Sequence, residues 1–158
     1  NFTVTYGKWD FNMQWYGSFG NDVYNYTKSY RVSGVSNQNV VAGLYDDVWR
    51  VGNEGAEYPR LTTNDPNRNY NRSSDFFVED ASFLRMQNIQ VGYNFSEKVL
   101  EKIGLSKLRI YTSINNLFTL TKYTGFDPTV NGGAIGAGID YGTYPSARQF
   151  LLGLNVTF

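Results

Sequence analysis

The 158 residues suffice for one domain, and they carry 14 basic and 14 acidic side chains with no His and no Cys. That balance excludes the basic footprint of a nucleic-acid binder, a disulfide framework and a thiolate metal site; lacking the commonest general base, the chain is read as not an enzyme. With 13 Tyr, 11 Phe and 16 Gly, and charged residues at only 18%, the composition favours strands and turns over helices.

The first twenty residues, "NFTVTYGKWDFNMQWYGSFG", alternate twice. Phe2, Val4 and Tyr6 share one register; Trp9, Phe11, Met13, Trp15 and Phe19 share the other, against Asp10, Asn12, Gln14, Tyr16 and Ser18. Parity flips at Gly7-Lys8, which predicts a tight turn between strands over about 1–6 and 9–20. A long loop over about 21–80 follows. Within it Val41, Leu44, Tyr45, Val48 and Trp49 repeat at helical spacing, with Asn37 or Asn39 as cap and Gly52 as stop; Trp49 is assigned to helix packing. The remainder, "NDPNRNYNRSSD", is turn chemistry, and no domain boundary is evident.

A third strand is predicted over about 82–95, where Ile89, Val91, Tyr93 and Phe95 face away from Asn88, Gln90, Gly92 and Asn94. Leu84 and Met86 sit on the wrong parity, which calls for a β-bulge near Gln87 or a strand that has left its apolar surroundings. Val99, Leu100 and Ile103, ending at Gly104, suit a turn or two of helix. A fourth strand over about 107–121 sets Leu108, Ile110, Ile114, Phe118 and Leu120 against Arg109, Ser113, Asn115 and Thr119. A second long loop over about 122–146 leads to a fifth strand, 147–158, with Phe150, Leu152, Leu154, Val156 and Phe158 on one face.

On any single strand, half-burial in a soluble, secreted β-sandwich that binds carbohydrate is the simpler reading. Three features oppose it. The polar faces are built from Asn, Gln, Ser, Thr and Gly; Tyr and Trp gather towards strand ends; and short turns alternate with long loops. A spanning strand needs only about 9–11 residues with alternate positions apolar, so this is the layout of an outer-membrane β-barrel. Five strands cannot close one, because the smallest have about eight and an open edge in lipid leaves backbone groups unsatisfied.

The segments "VEDASFLRMQNIQVGYNF", "LSKLRIYTSINNLFTLTKYTGFDPTV" and "GIDYGTYPSARQFLLGLNVTF" resemble, in that order, the carboxyl-terminal end of the SusC/RagA family of TonB-dependent outer-membrane transporters of Bacteroidetes. "WDFNMQWYGSFGNDVYN" and "VWRVGNEGAEYPRL" extend the resemblance over nearly the whole chain. It implies an all-β fold: the last five strands of a 22-stranded antiparallel membrane barrel filled by an amino-terminal plug, with short turns in the periplasm and long loops outside. The implied partners are the rest of the barrel and its plug, TonB acting through that plug, membrane lipid and a SusD-like surface lipoprotein lid. The implied cargo is an oligosaccharide or a peptide, and no nucleic acid is expected.

Among the loop aromatics, which include Tyr24, Tyr26, Tyr30, Tyr58 and Tyr70, the alternative to ligand contact is that they pack the loops on themselves. Tyr141, Tyr144 and Phe126 are the residues assigned to ligand or lid contact. No catalytic residue and no cofactor are assigned. Asp65, Asp75, Asp127 and Asp140 supply oxygens for calcium but lack EF-hand spacing, so turn capping is preferred. The "GGAIGAGID" segment lacks GxGxxG spacing and is read as a mobile loop. Phe158, on an alternating last strand, resembles the signal by which the assembly machinery recognises outer-membrane barrels, and Asn1 is read as the unnatural end.

Overall fold

The computed structural model describes residues 1–34, 39–130 and 136–158. They form two compact units. One comprises Asn1–Phe19, Ser82–Lys122 and Pro145–Phe158; the other comprises Gly20–Ala81 and Tyr123–Tyr144.

The first unit is a five-stranded antiparallel sheet of β1 (Phe2–Tyr6), β2 (Trp9–Ser18), β5 (Phe83–Asn94), β6 (Lys107–Thr121) and β8 (Gln149–Thr157), in that spatial order. Gly7 takes a left-handed φ of 59° in the turn that pairs Tyr6 with Trp9, which is why the parity flips there. β5 and β6 are joined by a helical turn, α3 (Glu97–Leu100), and a 3-10 turn, Glu101–Ile103, stopped by the left-handed Gly104.

The register lines the side chains into cross-strand rows. Phe2, Met13, Ile89, Ile114 and Phe150 form one; Val4, Phe11, Val91, Thr112 and Leu152 form the next; Tyr6, Trp9, Tyr93, Ile110 and Leu154 form a third. The bulge expected near Gln87 is present. Pairing passes from Met86 to Asn88 on β5 while β6 passes from Phe118 to Asn115, and Asn116 takes a φ of 52°. The extra residue resets the parity, so Met86 aligns with Trp15 and Phe118 and joins the apolar face. Leu152 is 82% and Phe150 70% exposed. A sandwich sheet would bury that face, so the soluble β-sandwich does not describe this unit.

The second unit holds most of the two long loops placed at about 21–80 and 122–146. β3 (Asp22–Asn25) pairs antiparallel with β4 (Val78–Asp80) and parallel with β7 (Ile139–Asp140), which draws the two loop regions into one body. Its core is Val32, Leu44, Val48, Tyr70 and Phe77, with Val23, Ala81 and Tyr123 as a smaller cluster.

The helix expected around residues 41–49 shrinks to one turn, α2 (Leu44–Asp47), entered from Gly43 in a left-handed conformation rather than from an Asn cap. Val48 is already extended and bridges Tyr58, with Trp49 N–H bonded to the Tyr58 carbonyl at 2.8 Å. Leu44 and Val48 still reach the core, whereas Trp49 stays 39% exposed and is not the packing residue. Asn37 and residues 132–135 of the glycine-rich segment lie outside the described residues. The six-residue α1 (Tyr26–Arg31) had no counterpart in the sequence reading; Asn25 caps it by accepting from Lys28 N–H at 2.9 Å.

Candidate functional site in the loop unit and the polar face of the sheet

Opposite its apolar rows, the sheet carries polar side chains bonded to one another across the strands. Asn88 donates to Ser113 at 2.8 Å and to Asn115 at 2.7 Å, and Asn115 donates to Gln149 at 3.3 Å, so three strands are tied by side chains alone. Arg85 donates from Nε to Thr119 at 2.8 Å. Further along, Asp10, Gly92, Tyr111 and Gly153 share one row. Arg109 reaches over Gly92 to pair with Asp10, its Nε donating to Oδ1 at 2.9 Å. A Cβ at Gly92 would lie 2.5 Å from the Arg109 guanidinium and 2.6 Å from the Asp10 carboxylate, so only glycine leaves the ion pair its path. Tyr111 lays its ring over Gly153, covering the strand where it has no side chain of its own, and Arg109 stacks on that ring at 4.8 Å.

In the loop unit, buried carboxylates organise the backbone. Asp65 accepts from the N–H groups of Asn69, Tyr70 and Asn71 at 2.8, 3.0 and 3.2 Å, and the Tyr70 hydroxyl donates to the Pro59 carbonyl at 2.7 Å. Burial, with the Asp65 charge added, pushes the Tyr70 hydroxyl up to about 12, so it stays a donor. Asp140 accepts from the Tyr123 hydroxyl at 2.6 Å and from Gly142 and Thr143 N–H at 2.9 and 2.8 Å, which fixes the turn bearing Tyr141. Burial pushes the Asp140 carboxyl up, but these donors outweigh it and hold the group below its ordinary range. Burial and the bond to Asp140 raise the Tyr123 hydroxyl well above the usual phenol range.

Among the described residues of this unit, two cavities are lined by aromatic side chains. The first, about 350 Å³, is lined by Tyr24, Tyr26, Tyr30 and Tyr70 together with Asn71, Arg72 and three serines. Tyr26 packs edge-on against Tyr30 at 4.7 Å and against Tyr141 at 4.9 Å, and the Tyr30 hydroxyl donates to that of Tyr26. That bond, more than burial, raises the Tyr30 hydroxyl. The second, about 360 Å³, is lined by Lys28, Arg31, Glu57, Tyr58 and Phe126, among others. Phe126 is 57% exposed, with the Arg31 guanidinium 5.7 Å from its ring centre.

The three residues singled out for contact therefore do not converge: Tyr141 adjoins the first cavity, Phe126 lines the second, and Tyr144, 89% exposed, lines neither. Of the other loop aromatics, Tyr24, Tyr58 and Tyr70 pack the loop core. The sequence reading missed Ser29, Asn71 and Arg72; the available signal was the four-residue spacing of Tyr26 and Tyr30, which puts both on one face of a helix. Asp65 and Asp140 cap turns, and Asp127 accepts from Thr129 N–H at 2.9 Å. Among the described residues no group of three or more acidic, His or Cys side chains could hold a metal ion, and no helix is long and apolar enough to cross a membrane. Phe158 follows β8 and is 90% exposed.

No family model matches the chain. Among curated proteins it is 34% identical over its whole length to TonB-dependent receptor P3 of Formosa agariphila, covering 16% of that protein. It is 42% identical to TonB-dependent receptor SusC of Bacteroides thetaiotaomicron over 54% of this chain and 8% of SusC. Among solved structures the RagAB peptide transporter matches with a TM-score of 0.79 at 22% identity, over 98% of this chain and 16% of that one. The likeness extends to the fold: the five-stranded sheet is a stretch of antiparallel β-barrel wall. The chain spans about a sixth of the length of the relatives that it matches end to end.

Proposed function

The chain belongs to the SusC/RagA family of TonB-dependent receptors, and from that premise we propose that it supplies barrel wall and extracellular loops to an outer-membrane nutrient importer. The observation that carries this reading is the two-faced sheet: rows such as Val4–Phe11–Val91–Thr112–Leu152, exposed or half-buried, suit acyl chains, while the amide and hydroxyl network on the other face suits a watery lumen. β2, β5, β6 and β8, at 10, 12, 15 and 9 residues, are long enough to span. β1, at 5 residues, covers part of that height.

The cargo is an oligosaccharide or a peptide, admitted beneath a SusD-like lipoprotein lid, with energy delivered by TonB through a plug. Tyr141, Tyr144 and Phe126 contact ligand or lid; their exposure in a unit with its own core supports this role. No residue of the chain is assigned a catalytic role. Phe158 acts as an assembly signal.

The test is made on cells. The receptor is expected in the outer-membrane fraction, extracted only by detergent, and deleting its gene should abolish uptake of one class of labelled oligomer while leaving monomer uptake intact. Recovery of the receptor from the soluble fraction would sink the reading. Tyr144→Ala with Phe126→Ala is expected to lower recovery of the lid lipoprotein in detergent pull-downs or to weaken oligomer uptake; unchanged values in both assays would remove these residues from the contact surface.

A further inference from the structure

The tyrosine-lined cavity has a distinctive wall. Among the described residues its lining combines four phenol rings with serine hydroxyls and the Asn71 amide, with neither an aliphatic side chain nor a carboxylate. Flat apolar surfaces interleaved with short hydrogen-bonding groups complement a pyranose ring, which offers C–H patches on its faces and hydroxyls around its rim. Peptides bound as helices or added strands rely instead on aliphatic pockets or an open strand edge. The one charge in the lining is Arg72, which is exposed and has no ion-pair partner among the described residues. A guanidinium beside hydroxyls and aromatic faces is suited to a planar or tetrahedral oxyanion. The neighbouring cavity differs in carrying a carboxylate, Glu57, beside Lys28 and Arg31.

The site is also held in place. Asp65 pins the backbone N–H groups of residues 69–71, Tyr70 is anchored to Pro59, and the Asn25 cap orients the helix that presents Tyr26 and Tyr30. Such fixed walls lower the ordering cost of binding.

We propose that this cavity is a saccharide subsite that takes a sugar residue bearing a carboxylate or sulfate, its ring against the Tyr26–Tyr30 pair and its anionic group on Arg72. The proposal rests on the reading of this unit as the extracellular part of an importer, and it narrows the cargo to an anionic glycan. Its volume, near the lower end of the ~300–1,000 Å³ range of small-molecule sites, suits one or two sugar units.

Binding is measured by calorimetry on the detergent-solubilised receptor with four probes: trigalacturonate, its neutral trimethyl ester, a sulfated galactose disaccharide, and an acidic tetrapeptide with the charge of trigalacturonate. Trigalacturonate or the sulfated sugar is expected to bind roughly tenfold more tightly than the ester, and Arg72→Gln should erase that difference without weakening the ester. Tyr30→Ala should weaken charged and neutral sugars alike. Whichever anionic probe prevails identifies the group. Failure of every saccharide to bind would overturn the proposal, as would a peptide that binds as tightly as the sugars and responds to both variants, or an affinity difference indifferent to Arg72→Gln. Binding to detergent-solubilised receptor needs no energy coupling. Calorimetric binding with oligomer uptake unaffected by deleting the gene counts against the importer reading alone; uptake abolished by that deletion without saccharide binding counts against the subsite alone.

Discussion

The sheet and the loop unit are built on opposite principles. In the sheet each strand meets its neighbours through a repeating register, so an apolar residue at every second position is sufficient to define a face. In the loop unit, Val32, the Leu44–Val48 turn, Tyr70 and Phe77 come from separated segments of the chain and meet in one cluster, with Asp65 tying the turn that bears Tyr70. The difference teaches where each region is vulnerable. The sheet tolerates changes that respect the alternation and fails at residues that break it, whereas the loop unit fails at its few shared anchors.

The largest effect is expected from Phe77→Ala. This ring is fully buried, and its loss should cost the loop unit about 3–5 kcal/mol. Limited proteolysis should then cut within residues 39–81 while the barrel keeps its heat-modifiable gel mobility. If both regions failed together, the contrast drawn here would be wrong.

Next is Leu152→Arg, which sets a charge at the middle of β8 on the exposed apolar face and should cost about 2–4 kcal/mol if that face meets acyl chains. Urea unfolding in lipid vesicles would register it. A neutral result would mean that water, not lipid, covers this row.

Gly92→Val should cost about 1–3 kcal/mol by displacing the Arg109–Asp10 pair, with no change in protease cutting of the loops. A companion Asp10→Ala change should then add little, because both substitutions disable one contact.

The smallest effect is a pH response confined to the loop unit. Burial pushes the Glu79 carboxyl up, but Thr124 N–H at 3.0 Å, the Thr124 hydroxyl and Lys28 at 3.2 Å outweigh it and hold its pKa below the ordinary 4.5. A carboxyl lowered on folding contributes stability that is complete above its unfolded value and fades as pH falls below 4.5 through the folded value. Asp140 is shifted in the same direction. Hydrogen exchange in residues 22–31 and 78–81 should therefore rise below pH 4.5, and Glu79→Gln should flatten part of the rise. Equal acid sensitivity in the central strands would contradict the assignment to this unit.

Much of the sheet was legible without coordinates. The Gly7-Lys8 turn showed as a parity flip, and the Gln87 bulge as two apolar residues out of phase, because side-chain direction in a strand depends only on counting residues. The short helical turns before Gly104 were legible for a similar reason, through helical spacing and a glycine stop. The candidate site was half legible. Tyr26, Tyr30 and Tyr70 stood out as loop aromatics, yet nothing local ranked them, and the preference for Tyr141, Tyr144 and Phe126 dispersed the site over two cavities.

What the sequence determined by itself was therefore the two-faced wall, since alternation is a local property that any register-matched neighbour completes. What only the tertiary structure decided was the loop unit. Helical spacing promised two turns or more around Val48, but its bridge to Tyr58 is a long-range pairing that overrides local preference. The parallel contact of Tyr24 with Ile139 joins segments that no periodicity links. Arg72 likewise becomes a candidate ligand residue only where Asp65 folds its loop beside α1, because a binding cavity is a relation between distant residues and not a pattern along the chain.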